Sequence, residues 1–115
     1  MWKIEFYREF EEEFLNFSEK VQDELLASLI PLRKFGSQLG RPNVDTLNGS
    51  KFPNMKELRF KADNGVWRVA FAFDPVRKAI LLCAGDKSGK SQSNFYKGLI
   101  KKADKRFLKH LDDLK

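Results

Sequence analysis

Apolar positions recur along this chain with two different periods, and each change of period marks an element boundary. Trp2 to Tyr7 alternates apolar and polar residues and predicts a strand over 2–7. The acidic run Glu9 to Phe14 that follows predicts a short helix or a helix start. Ser18 is suited to cap a second helix, with Glu19 in its first turn, where the dipole favours an acid. Val21, Leu25, Leu26, Leu29 and Leu32 form that helix's apolar stripe. Pro31 interrupts the stripe and is expected to kink the helix or make its last turn irregular. Arg33 and Lys34 suit the C-terminal dipole, and Gly36 can end the helix.

Residues 36–54 are rich in Gly, Pro, Asn and Ser and read as one long irregular segment. A loop of that length is often functional, and Arg41 and Lys51 offer a second phosphate contact there; an exposed connector is the competing reading. Strands are predicted at about 55–62, 66–73 and 78–85. Asp63-Asn64-Gly65 is a hairpin signal, and Asp74-Pro75 is the next turn. Turns this short impose an antiparallel meander. The last helix is predicted from about Ser93 to Asp112, with Phe95, Tyr96, Leu99, Ile100, Ala103, Phe107 and Leu111 on its apolar face. The result is an α+β protein of one domain spanning 1–115, with a small twisted, mainly antiparallel sheet of about four strands. Two N-terminal helices and one C-terminal helix pack on it.

Composition adds direction to this outline. The chain carries a net charge of +6 and eleven Phe, so it has enough apolar residues for a core and enough cations for an anionic partner. The charge is segregated: residues 1–30 are net −5, residues 31–83 net +6 and residues 84–115 net +5. Cys83, the single cysteine, sits in an apolar run and reads as a small buried hydrophobe. One cysteine excludes an intramolecular disulfide, and neither a signal peptide nor a membrane-length apolar run is evident, so a cytoplasmic protein is expected.

The cations that bear on chemistry lie between Glu57 and Tyr96. Trp67, Val69, Phe71 and Phe73 share one strand face; Arg68, Ala70 and Ala72 share the other. An arginine beside two alanines predicts open space and a shallow site centred on Arg68. Glu57, Arg59 and Lys61 share a face of the neighbouring strand, with Lys56 opposite, and Glu57 is placed to pair with Arg59 or Arg68. Ala84 to Ser91 matches a relaxed phosphate-loop pattern, but it ends an antiparallel meander instead of a parallel βαβ unit. What remains of that reading is a flexible loop whose Lys87, Lys90 and free N–H groups could hold a phosphate. Tyr96 either fills the core or turns its hydroxyl to a scissile phosphate. His110 is alone and reads as a packing or surface residue, and Asp63, Asp74 and Asp86 lack metal-ligand spacing, so neither metal nor cofactor is expected.

The opening WKIEF, the helix VQDELLASL, the segments LGRPNVDTLNGS and NMKELRF, the meander GVWRVAFAFDPVRKAILLCAGDK and the helix FYKGLIKKAD occur here in a specific order and spacing. In these pieces the chain resembles the RelE/ParE toxin superfamily, most closely its HigB-type, phage-derived branch. The resemblance implies a RelE-like fold and a type II toxin that cleaves mRNA without a metal, usually on the ribosome. It further implies neutralisation by a helix-turn-helix antitoxin. It places the family's catalytic set on Arg68, Lys87 and Tyr96, with Lys87 where relatives often have arginine, and a further basic residue near Lys56 or Arg59. Lys61, Lys90 and Lys97 complete the expected RNA contacts. Crowded cations would lower the pKa of a lysine and of the tyrosine alike. The same superfamily implies a rival, a non-enzymatic ParE-like gyrase inhibitor; a plain RNA-binding module is the third reading.

Overall fold

The computed structural model describes residues 1–115. In chain order the elements are β1 (Lys3–Phe6), α1 (Arg8–Leu15), α2 (Glu19–Phe35), a 3-10 turn (Gly36–Gln38), β2 (Val44–Thr46), β3 (Lys56–Ala62), β4 (Gly65–Phe73), β5 (Lys78–Asp86) and α3 (Gln92–Asp113). The sheet has five strands in the order β1-β5-β4-β3-β2, one more than the periodicity predicts. The extra strand is β2, within the segment read as irregular; at three residues it is too short to show a period. β1 runs parallel to β5, and every other pairing is antiparallel.

The turns set the registers. Asp63 and Asn64 take φ of 51° and 62°, so the β3–β4 hairpin turns on Asp-Asn, one residue before the Asn-Gly pair. Gly65 is instead required by proximity: a Cβ there would lie 2.7 Å from Asp86 Oδ2. In the next turn the buried Asp74 carboxylate accepts from the N–H groups of Val76 and Lys78. α2 starts as expected, with Ser18 Oγ accepting from the Val21 N–H at 3.3 Å. It remains helical through Pro31 to Phe35. Gly36 ends it at φ 55°, and the Trp2 indole lies 2.1 Å from where a Cβ would stand, so no side chain fits there.

The sheet is covered on both faces. α1 and α2 bury Phe10, Phe14, Leu25 and Leu29 against Leu58, Val69, Phe71 and Leu81. α3 buries Leu99, Ala103 and Phe107 against Met55, Ala70, Ala72, Ile80, Leu82 and Cys83. This corrects the expectation of open space over the alanines: Ala70 and Ala72 are fully buried, because their small side chains let α3 approach closely. A bulge opposite Ala70 and Phe71 leaves Leu82 without a partner in β4, and Leu82 and Cys83 consequently both pack toward α3. Burial pushes the Cys83 thiol up to about 12, in keeping with its reading as an inert hydrophobe.

Two polar clamps hold the outer layers. Arg106 on α3 pairs with Glu13 on α1 and donates to the Leu82 carbonyl at 2.8 Å, at the bulge. Asp104, also on α3, accepts from Ser50 Oγ and from the Lys51 N–H, fastening the long segment to the helix. No helix is long and apolar enough to cross a membrane.

Candidate functional site

The α3 face of the sheet is not covered completely. Leu99 and the residues after it pack on the alanines, but the first turn of α3 stands away from β2 and β3 and leaves a cleft of about 620 Å³. Its sheet side is formed by Glu57 and Arg59 of β3, one wall by Asp45 to Asn48, and the other by Lys87, Gln92, Ser93 and Tyr96. Ser91 fixes that wall by capping α3, its Oγ accepting from the Asn94 N–H at 3.3 Å.

A chain of hydrogen bonds runs beneath the cleft. Tyr96 OH donates to Glu57 Oε1 at 2.7 Å, and Arg68 Nε donates to Tyr96 OH at 3.3 Å and lies 3.5 Å from Glu57 Oε1. Arg68 Nη1 donates to the Trp67 carbonyl at 2.9 Å. Arg68 is therefore a buried residue with internal partners, 5% exposed, not the open centre that its alanine neighbours predict. Glu57 pairs with Arg68 and leaves Arg59 free of it. Arg59 Nε is buried and has no hydrogen-bond partner. An unpaired buried donor is rare, because desolvation without compensation costs about 1–3 kcal/mol. Arg59 and Lys87 line the same cleft, so two cations there can meet an anion.

The titrating groups respond in opposite senses. Burial, then the charges of Arg68 and Arg59, lower the pKa of Lys87; Glu57 opposes them. Burial and the hydrogen bond to Glu57 raise that of Tyr96, outweighing Arg68. The expected downward shift thus holds for the lysine and fails for the tyrosine, because the hydroxyl's nearest strong partner is an anion. Lys87 Nζ lies 5.9 Å from the Tyr96 ring centroid.

The remaining predicted residues are dispersed. Lys61 borders a separate hollow with Arg59, Arg68 and Pro42. Lys56 lies on the opposite face of β3 from Glu57 and Arg59 by strand alternation. Lys90 lies over the Phe95 ring, on another flank of α3, and Lys97 is exposed and lines neither cavity. The loop 87–90 is not a free phosphate nest: Asp86 Oδ1 accepts from the Ser88 N–H, Ser88 Oγ and the Val66 N–H. Against the upward push of burial, those bonds hold the Asp86 carboxyl below its usual range. Arg41 pairs with Asp45 at 3.3 Å, Lys51 is exposed, and His110 packs against Asp74 at 2.8 Å. Of the two partners expected for Glu57, Arg68 is the one observed, while the hydrogen bond from Tyr96 to Glu57 and the wall from Asp45 to Asn48 within the long segment were not foreseen. The signal for Glu57 was an acid flanked by cations on a strand otherwise rich in apolar residues.

A five-stranded sheet with helices on both faces and a cationic cleft at the start of the last helix defines a RelE-like fold. A double-alanine variant of the E. coli toxin RelE in the free state aligns with a TM-score of 0.61, at 14% identity over 88% of this chain and 95% of that one. Isolated E. coli RelE toxin aligns with a TM-score of 0.56, at 16% identity over 88% and 97%. Residues 12–108 match the model of the phage-derived Gp49-like protein family, and the chain belongs to that family, which is of the RelE/HigB type. Two Mycobacterium tuberculosis proteins with the provisional toxin names HigB2 and HigB3 are similar to it. The first is 43% identical over 100 residues, covering 85% of this chain and 49% of that protein. The second is 52% identical over 71 residues, covering 62% and 60%. The chain thus spans about half to three-fifths of the length of these relatives.

Proposed function

We propose that this chain is the toxin of a type II toxin–antitoxin module and cleaves mRNA in the Arg59–Lys87 cleft without a metal ion, on the ribosome in the cytoplasm. A helix-turn-helix antitoxin would neutralise it. Family membership supports the toxin reading. The single observation that supports the chemistry is that Arg59, which has no ion-pair partner, and Lys87, whose pKa is lowered, line one cleft.

Neutral Lys87 would take the proton of a ribose 2′-OH, and the 2′-oxygen would attack the adjacent phosphorus. Arg59 would face the negative charge that develops on the phosphorane. The bond to the 5′-oxygen breaks, water protonates that oxygen, and a cyclic 2′,3′-phosphate remains. Tyr96, kept neutral by Glu57, would position the nucleotide, and Arg68 would position Tyr96. The ribosome would supply the in-line geometry that a shallow cleft cannot impose.

Primer extension on mRNA after induction tests this reading. Discrete cuts within coding regions are expected with the wild type. Lys87→Ala and Arg59→Ala should each reduce them by roughly 10²-fold or more, the usual effect of deleting a general base in the first case and a charge-stabilising group in the second. Intact mRNA accompanied by DNA damage would point to gyrase poisoning, and intact mRNA with RNA binding alone would point to a binding module. Either result would overturn the nuclease, as would undiminished cutting by folded variants.

A further inference from the structure

The second half of β5 has a free edge. β1 pairs only with Lys78 to Leu81, and the chain then turns away into α1. Arg106 occupies the next carbonyl, that of Leu82. Beyond it the β4–β5 ladder fixes directions: Lys87 N–H donates to the Val66 carbonyl, so the alternation turns the backbone groups of Gly85 and Cys83 toward β4 and those of Ala84 and Asp86 away from it. That outward edge borders a cavity of about 500 Å³ between β5 and α3, lined by Cys83, Ala84 and Gly85 on one side and Lys90, Asn94, Gly98 and Lys102 on the other.

Natural sheets blunt or cover edges of this kind. The bulge and Arg106 seal this one only as far as Leu82. From Ser91 to Lys102 the helix rises roughly 16 Å, the length of about five extended residues. Nothing stands within 4 Å of where a Cβ on Gly98 would be, so the groove stays open midway. Lys102 and Gly98 also line an adjoining cavity with Lys101, Lys105, Arg106 and Lys109, in which Glu9 is the one carboxylate.

We infer that the Ala84–Asp86 edge of β5, beyond the sealed Leu82, accepts an extended acidic peptide segment as a sixth strand. Its backbone would pair with Ala84 and Asp86, and its carboxylates would meet Lys90 and Lys102. A peptide fits better than RNA for two reasons. Backbone donors and acceptors two residues apart are complementary to another strand. The groove also has no exposed aromatic face for base stacking, Phe95 being 8% exposed. The surface lies on the flank of α3 away from the Arg59–Lys87 cleft, so the inference does not depend on nuclease activity.

The test uses the whole protein, an octapeptide of alternating valine and glutamate, and a uridine dodecamer, with backbone amides followed by NMR. The peptide is expected to shift Ala84, Asp86, Lys90 and Lys102 and to slow amide exchange at Ala84 and Asp86 at least tenfold. Ala84→Pro removes an outward N–H without touching the β4 ladder and should weaken binding about tenfold; Lys90→Glu with Lys102→Glu, both at exposed positions, should do the same. Three results would overturn the inference: no shifts at millimolar peptide, amide shifts without slowed exchange at Ala84 and Asp86, or the dodecamer filling the groove in place of the peptide. If Ala84→Pro fails to fold, the lysine pair and the exchange data still decide.

Discussion

At Lys87 burial and the charges of Arg68 and Arg59 favour the neutral amine, while at Tyr96 burial and Glu57 favour the protonated phenol. Of the two, only the lysine is shifted toward accepting a proton at lower pH than usual. Below its pKa the neutral fraction of an amine rises tenfold per pH unit, so cleavage should rise with pH and level off below the ordinary lysine value of about 10.4. Lys87→Arg should abolish that rise, since arginine does not lose its proton in this range. A pH–rate profile of single-turnover cleavage on ribosomes checks both, and a flat wild-type profile would remove Lys87 from the proton-transfer role. Lys87 and Tyr96 were legible from the sequence as neighbours of a cationic strand. The burial of Arg68 was not, because small residues beside an arginine describe equally an empty hollow and a seat for a helix. The helix that fills it is distant in sequence, so no local pattern distinguishes the two.

Among the elements, α3 shapes the cleft most, because it holds one wall directly and the other through Asp104. Ser50 Oγ and the Lys51 N–H both donate to that carboxylate, which is 8% exposed. Asp104→Ala should cost about 1–3 kcal/mol by leaving those donors unpaired. Urea unfolding measures the loss, and faster amide exchange at Lys51 with little change in β4 would localise it to the long segment. The helices and the three meander strands were readable to within about two residues because their periods are sustained. β2 was hidden by its length. The bulge hid more: counting by twos from Ile80 puts Cys83 on the wrong face, since the extra residue changes phase in mid-strand. Asp104, an acid among lysines on a helix, gave no sign of the loop it holds.

Across the whole molecule, charge follows layer. The acidic N-terminal segment supplies α1 and α2 on one face of the sheet, and the basic C-terminal segment supplies α3 on the other. Glu13 and Arg106 join the two layers. Their hydrogen bond, supplemented by the opposite charge, lowers the Glu13 carboxyl pKa and raises that of Arg106. The segregation was visible in composition, but its assignment to opposite faces needed the pairing of β1 with β5, which joins residues more than seventy positions apart.

That parallel pair also orders events in time. β3, β4 and β5 are joined by tight turns, and α3 follows at once, so residues 56–113 can close on local contacts. β1 has to wait for β5, and closing so long a loop is slow. The late step should appear in kinetics: Phe107→Ala, which loosens α3 on the meander, is expected to slow folding, whereas Phe6→Ala, which loosens β1, should mainly speed unfolding. Stopped-flow folding and unfolding rates would show the opposite pattern if the N-terminal strand nucleated the fold. During synthesis, the half-layer of α1 and α2 would leave the ribosome first and wait for β3, β4 and β5 to supply the sheet face it covers, while Arg59, Lys87 and Tyr96 all come from the later-emerging segment.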